Sequence, residues 1–165
     1  MGMTPSQYFE TFVEGNFGDC HASPGCVRRA FNAAVSASHL ADHVHTFNSR
    51  HNPQVVASFP SIGQYVEYLT SKTGGAFRDI RSISNAYKHL YTDVGPLAVH
   101  SNIDSSGAIE SIGLPNSQEL VRVAEEFGAD RSFVVFTRKD GSTLEFLPVL
   151  EQVVNYWRQA IHDGA

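Results

Sequence analysis

The stretch that decides the fold is Val27-Arg-Arg-Ala-Phe-Asn-Ala-Ala-Val-Ser-Ala-Ser-His-Leu-Ala-Asp-His-Val-His-Thr-Phe47. It contains no Gly or Pro and is rich in Ala, Val, Leu and Phe. Ser23-Pro24 lies just before it and is a helix-start signal, since proline fits a first helical turn and serine is a good capping residue. The stretch therefore predicts one long helix from Val27 to Phe47.

A shorter helix is predicted at the N-terminal side of this stretch. Thr4-Pro5-Ser6-Gln7 combines a capping residue, a proline at the first helical position and a Gln at the third. That pattern is typical of a capping box, in which the two side chains each accept a backbone N–H. Gly15 and Gly18 are expected to end this helix.

Two more helices are predicted at the C-terminal side. Ser61-Ile-Gly-Gln64 repeats the capping pattern and predicts a helix from Ser61 to Lys72. Gly74-Gly75 then breaks the chain, and apolar residues recur at helical spacing as far as Tyr91. Residues 1–93 are thus predicted to form a four-helix bundle.

Beyond residue 93 the pattern indicates strands. Ser132–Arg138 and Thr143–Phe146 predict a β-hairpin, because Asp140-Gly141 between them supplies residues that tolerate a left-handed turn. Four further elements are expected in this part: strands at Leu97–Ser101 and Ala108–Ile112, a short acidic helix at Ser117–Phe127, and a final amphipathic helix at Val149–Ile161 that carries Trp157.

The predicted fold class is α+β. The helical bundle of residues 1–93 is followed by an α+β appendage, residues 94–165, in which a small antiparallel sheet and a C-terminal helix pack on the bundle. Trp157 is expected to pack against the hairpin. At 165 residues the two parts are expected to form one cooperative domain.

Composition limits the classes of function. The chain is 42% hydrophobic and 18% charged, and no run approaches the roughly 20 apolar residues that a membrane span requires. A cytoplasmic protein without membrane partners is therefore expected. The net charge of -5 argues against a broad DNA-binding surface, which needs clustered Lys and Arg. The local cluster of Arg78, Arg81 and Lys88 still suits a small anion or RNA.

The two cysteines, Cys20 and Cys26, flank His21 in a predicted loop. Two thiols exclude a four-cysteine zinc site. We expect two reduced cysteines, with a disulfide or a metal clip as the alternatives.

A polar stripe follows the long helix. Asn32, Ser36, His39 and His43 fall within an arc of about 60°, at 100° per residue. Paired histidines one turn apart can chelate a divalent metal, and Asp42 is a further ligand or orienting group. The stripe therefore suggests a zinc site of His39, Asp42 and His43. The alternative is a solvent-facing stripe.

A second polar stripe follows the fourth helix. Ser82, Asn85 and His89 share one face, with Arg81 and Lys88 on its flank. An imidazole next to cations suits acid–base chemistry on a phosphodiester. The alternative is a helix end where basic residues meet the helix dipole. Because each stripe interrupts an apolar helix, we expect the two helices to be adjacent and antiparallel. His89 would then join the predicted metal ligands.

The sequence Arg78-Asp-Ile-Arg-Ser-Ile-Ser-Asn-Ala-Tyr-Lys-His89 resembles the Asn-x-x-Lys-His helix of uncharacterised bacterial and phage helical proteins. More distantly, residues 25–92 resemble the HEPN (higher-eukaryote-and-prokaryote nucleotide-binding) bundle. That resemblance implies a homodimer, and in its ribonucleolytic members a metal-independent site of Arg, a polar residue and His. Arg81, Asn85 and His89 are the corresponding catalytic candidates. Ser84 stands where the family has Arg, directly before the polar residue.

The sequence leads to two functional hypotheses. The first is a binding or regulatory module with a histidine-rich polar site between two helices. The second is a hydrolase, either a HEPN-like metal-independent ribonuclease or a metal-dependent enzyme. Turnover in the second case is expected to depend on His89, the imidazole with cationic neighbours in sequence.

Overall fold

A computed structural model describes residues 2–113 and 132–164. The fold is α+β, as predicted, with helices first, then a three-stranded antiparallel sheet and a C-terminal helix. The elements in chain order are α1 (Pro5–Tyr8), a π-helical segment (Phe9–Glu14), α2 (Gly15–Ala22), α3 (Val27–His51), α4 (Ile62–Lys72), α5 (Ala76–His89), α6 (Leu97–His100), a 3-10 turn (Ser106–Ala108), β1 (Ile109–Gly113), β2 (Ser132–Thr137), β3 (Thr143–Glu145) and α7 (Phe146–His162).

The N-terminal capping box is confirmed. The backbone N–H of Gln7 donates to the Thr4 hydroxyl at 3.2 Å, and the Gln7 side chain accepts from the Thr4 N–H at 2.9 Å. The predicted end of the first helix is wrong, because helical structure continues through Gly15 and Gly18. Both glycines face open space, and α2 and the π-helical segment bury Cys20 and Val13 on the other side. That burial outweighs the cost of about 1 kcal/mol per helical glycine.

The three remaining predicted helices of residues 1–93 are confirmed. Helix α3 starts at Val27 as expected and runs one turn further, to His51. Helix α4 is capped by Ser61, whose hydroxyl accepts the Gln64 N–H at 3.3 Å. Helix α5 follows Gly75, which has a φ of +96° that favours glycine, and it ends at His89 rather than at Tyr91.

The sheet is an antiparallel meander in the order β1-β2-β3. The hairpin prediction is confirmed: Gly141 has a φ of +83° in an exposed turn between β2 and β3. Phe146, expected at the end of a strand, instead begins α7 and is fully buried. The strand expected at Ala108–Ile112 is present as β1, one residue later at each end.

One predicted strand is wrong. Leu97–His100 forms the short helix α6, with the Ser101 N–H donating to the Leu97 carbonyl at 2.9 Å. A short apolar run has no periodicity that separates strand from helix, and Pro96, with φ −61° and ψ −25°, already has the helical conformation. The acidic helix predicted at Ser117–Phe127 lies outside the described residues.

The C-terminal helix α7 packs on the helices of the first part, so one hydrophobic core includes residues of both predicted segments. Trp157 is fully buried there. Its indole N–H donates to the Ala37 carbonyl of α3 at 3.2 Å, and its ring meets the Phe77 ring of α5 edge-on, with centroids 6.2 Å apart. The ring thus contacts α3 and α5, and the expected contact between Trp157 and the hairpin stays a prediction.

Within residues 2–113 and 132–164, no helix combines the length and apolar character that crossing a lipid bilayer requires.

Candidate functional site

Helices α3 and α5 pack against each other, as the two polar stripes predicted. They run antiparallel, because the earlier residue His39 of α3 meets the later residue Lys88 of α5, whereas Asp42 meets Arg81. A cavity of about 510 Å³ opens between them. Its lining residues come from α1, α3 and α5: Tyr8, Ser38, His39, Asp42, His43, Thr46, Arg81, Asn85 and Lys88. We call this space the α3–α5 cavity.

An ion pair crosses the cavity. Nη1 of Arg81 donates to Oδ2 of Asp42 at 3.0 Å, and Nη2 lies 3.5 Å from Oδ1. The Arg81 side chain is 26% exposed and that of Asp42 is 44% exposed, so both groups remain in contact with solvent. This pair fixes the guanidinium without removing it from the cavity.

His39 is the hydrogen-bond acceptor for Lys88, whose ammonium Nζ donates to Nε2 of the imidazole. Accepting this bond requires the neutral ring. Partial burial and the nearby charge of Lys88 both lower the pKa of His39, against the opposing effect of Asp42. The site therefore holds a neutral imidazole beside a cation.

His43 is oriented by the N-terminal residues. Its Nε2 lies 2.7 Å from the carbonyl oxygen of Met3, and its ring stacks on Tyr8 with centroids 4.9 Å apart. Burial, followed by the charge of Asp42, raises the pKa of Tyr8. Tyr8 thus contributes a neutral hydroxyl to the wall, directly before the π-helical segment. Such segments are frequent at functional sites.

The charges in this cavity do not cancel. Arg81 and Lys88 are cations and Asp42 is the carboxylate, so the three ionic side chains leave one surplus positive charge. The lowered pKa of His39 favours its neutral form, so this ring leaves the surplus unchanged. This local excess stands out because the chain as a whole has a net charge of -5.

The structure brings most of the predicted site residues together, with one exception. His39, Asp42, His43, Arg81 and Asn85 all line the α3–α5 cavity. His89 does not line it, and the residue is exposed at the end of α5. His89 is the last residue of α5, one turn beyond Asn85, and the lining of the cavity does not include it.

The predicted zinc ligands are not assembled. Asp42 is paired with Arg81, His39 with Lys88, and His43 with the Met3 carbonyl, while His89 lies outside the cavity. Across the described part of the chain, no three His, Cys, Asp or Glu side chains are grouped so that they could hold a metal ion. The alternative prediction, that this stripe faces solvent, is not borne out along its whole length, because Ser36 is buried and His39 and His43 are half-buried.

Three cavity residues were missed by sequence reasoning: Tyr8, Ser38 and Thr46. Ser38, Asp42 and Thr46 recur every four residues, so they form a second polar row beside His39 and His43. This four-residue spacing could have indicated the second polar row from the sequence. No sequence pattern indicated Tyr8 as a site residue, because an aromatic residue in a short amphipathic helix is typical of a core position.

Cys20 and Cys26 are both free thiols, as expected. Cys20 is fully buried. Burial first, then the neighbouring Cys26, raises the pKa of Cys20 to about 11, despite the opposing charge of Arg29. A buried thiol with a raised pKa is a packing residue rather than a nucleophile.

Comparisons with models of protein families, with curated proteins and with solved structures give no match for this chain. The functional assignment therefore depends on the geometry and charge of the α3–α5 cavity.

Proposed function

We propose that this protein is a binding module that holds a small anionic ligand in the α3–α5 cavity. The observation that carries the proposal is the surplus positive charge there, formed by Arg81 and Lys88 against the single carboxylate of Asp42. The Arg81 side chain is 26% exposed, so its charge acts at a lower effective dielectric constant than one on open surface, whereas Lys88 is exposed. We place the module in the cytoplasm, where two free cysteines stay reduced.

Each side chain has a role in this proposal. Lys88 supplies a point charge with N–H donors beyond the one that His39 accepts. Arg81 is oriented by Asp42 and keeps further N–H groups for a phosphate or carboxylate oxygen. Asn85, one turn from Arg81, adds an amide donor.

Calorimetric titration with inorganic phosphate and pyrophosphate tests this function. Arg81→Gln and Lys88→Gln should each weaken binding about tenfold, since a charge-assisted hydrogen bond contributes about 1.5 to 3 kcal/mol. Arg28→Gln is the matched control, because Arg28 is an exposed cation on α3 that does not line the cavity. Binding that fails to weaken in both cavity variants, or that weakens equally in the control, contradicts the proposal.

A second candidate, the HEPN-like ribonuclease, is favoured by the neutral imidazole of His39. A neutral histidine beside Arg81 and Lys88 suits a general base once the Lys88 ammonium moves from Nε2 to the phosphodiester. Nε2 then has a free lone pair for the proton, and the two cations would stabilise the anionic transition state. In this arrangement His39 replaces His89 as the proposed catalytic histidine, and Arg81 and Asn85 keep their predicted roles.

Cleavage of single-stranded RNA in the presence of a chelator tests the second candidate. General acid–base catalysis by one histidine contributes about 10² to 10⁴ in rate. We expect His39→Asn to lose that factor if the cavity is catalytic, whereas a loss in His89→Ala alone would support the assignment from the sequence. Analytical ultracentrifugation of the same samples tests the homodimer that the HEPN resemblance implies. Unchanged RNA with wild-type protein removes this candidate.

A further inference from the structure

A second cavity, of about 620 Å³, adjoins the first on the other side of α5. Three aliphatic side chains line it: Ile62 and Val66 from α4, and Leu97 from α6. We call it the α4–α6 cavity. Its walls are thus richer in aliphatic side chains than those of the α3–α5 cavity, in which polar and charged side chains predominate.

The two cavities share two residues. Arg81 and Asn85, one helical turn apart on α5, line both of them. The Arg81 guanidinium is held by Asp42 on the side of the first cavity. These two side chains are therefore a common wall, and a ligand that contacts Arg81 lies at the boundary of both spaces.

The charges place the anionic end of such a ligand in the first cavity. In the α4–α6 cavity the cation Arg78 is neutralised by Glu67, with 2.5 Å between Nη2 and Oε2. Lys88 lines only the α3–α5 cavity. Arg81 is likewise paired with Asp42, so among the described residues that line the two cavities Lys88 is the cation without a carboxylate partner. It lies in the first cavity, while the second offers aliphatic surface.

We infer that the ligand is an organic anion with an apolar arm. Its phosphate or carboxylate group binds Lys88 and Arg81, and its arm passes the Arg81–Asn85 wall to lie against Ile62, Val66 and Leu97. This inference rests on the proposed function and adds to it the class of ligand. Apolar arms add affinity by a factor of about three to four for each methylene that is fully buried.

Calorimetric titrations with inorganic phosphate, ethyl phosphate, hexyl phosphate and 1-hexanol test the inference on the full chain. We expect hexyl phosphate to bind about tenfold or more tightly than ethyl phosphate, since its additional methylenes reach the aliphatic wall. We also expect 1-hexanol to bind more weakly than hexyl phosphate, because it lacks the anionic group.

Substitutions of the aliphatic residues in the α4–α6 cavity test whether the apolar arm of the ligand binds there. Val66→Ala combined with Leu97→Ala should weaken hexyl phosphate several-fold and leave inorganic phosphate unchanged. Val99→Ala is the matched control, since Val99 lies on α6 with Leu97 but is 81% exposed and does not line the cavity. Lys88→Gln should weaken all three phosphates.

The outcomes separate the two proposals. Phosphate binding that depends on Lys88, with hexyl phosphate no tighter than ethyl phosphate, overturns the apolar arm and leaves the proposed function in place. No binding of any phosphate overturns both. Hexyl phosphate that binds equally well in the Lys88→Gln protein, or 1-hexanol that binds as tightly as hexyl phosphate, also overturns the inference.

Discussion

Asp79 of α5 is fully buried and accepts two hydrogen bonds from Arg138, the residue that follows β2: Nε lies 3.0 Å from Oδ1 and Nη2 lies 2.5 Å from Oδ2. Asn102 donates a third hydrogen bond to Oδ1 at 2.7 Å. The carboxylate thus joins the helical part to the hairpin and to the segment after α6. It also holds in place the helix that presents Arg81 and Lys88 to the cavity.

Removing that carboxylate should destabilise the fold. We expect Asp79→Ala to lower the free energy of unfolding by about 3 kcal/mol, at the low end for a broken buried pair because the Arg138 side chain keeps 29% exposure. Urea denaturation measures the loss. Asp104→Ala is the matched control: Asp104 is exposed and lies 3.8 Å from Lys139, so its loss should cost under about 1 kcal/mol. Equal losses in the two variants would refute the structural role of Asp79.

Trp157 should be the most costly single aromatic residue to truncate. Its ring is fully buried between α3 and α5, so Trp157→Ala should cost about 3 to 5 kcal/mol. Trp157→Phe retains an aromatic ring and loses the hydrogen bond to Ala37, and its cost should be clearly smaller. Thermal melts of the three proteins compare them. An unchanged melting temperature in Trp157→Ala would mean that α7 is peripheral to the core.

Acid should destabilise the wild type partly through His39. Burial and Lys88 lower the pKa of His39 below its ordinary value of 6.5, so the unfolded chain takes up a proton at a pH where the folded chain does not. Stability therefore falls as the pH drops below about 6.5 and levels off below the pKa of the folded state. The fall in melting temperature between pH 7.5 and 5.5 should be smaller in His39→Gln than in wild type.

Lys88→Met provides a second measurement for the same effect. Removing the ammonium group raises the pKa of His39 toward its ordinary value, so the acid-induced fall in melting temperature should again be smaller than in wild type. Parallel pH profiles for wild type and both variants would show that His39 is not protonated differently in the folded and unfolded states.

The two cysteines should differ in reactivity. Cys20 has no exposed surface and a pKa raised to about 11, whereas Cys26 is half-buried. Iodoacetamide at pH 8 should alkylate Cys26 first, because the reagent needs an accessible thiolate. Mass spectrometry of peptides follows both sites. Cys20 should react only after denaturant is added, and equal labelling rates in the native protein would contradict its burial.

Local sequence determined the helix starts and the hairpin turn. Thr4 and Ser61 cap their helices through the residue three positions later, and Gly141 sets the turn through its own backbone conformation. These are interactions over a few residues, so they can be inferred from the chain alone. The stop predicted at Gly15 was wrong because burial of Val13 and Cys20 depends on packing, which a local signal does not contain.

The sequence predicted which site residues share a helix face, but it did not predict the contacts between the helices. Helical spacing placed His39 and His43 on one stripe and Arg81 and Asn85 on another, because that periodicity is a property of every α-helix. Tertiary structure alone decided that Asp42 pairs with Arg81 across 39 residues, that Tyr8 closes the wall, and that His89 lies outside. Such contacts depend on how two helices rotate and cross as they bury their apolar faces, and that rotation follows from the packing of the whole core.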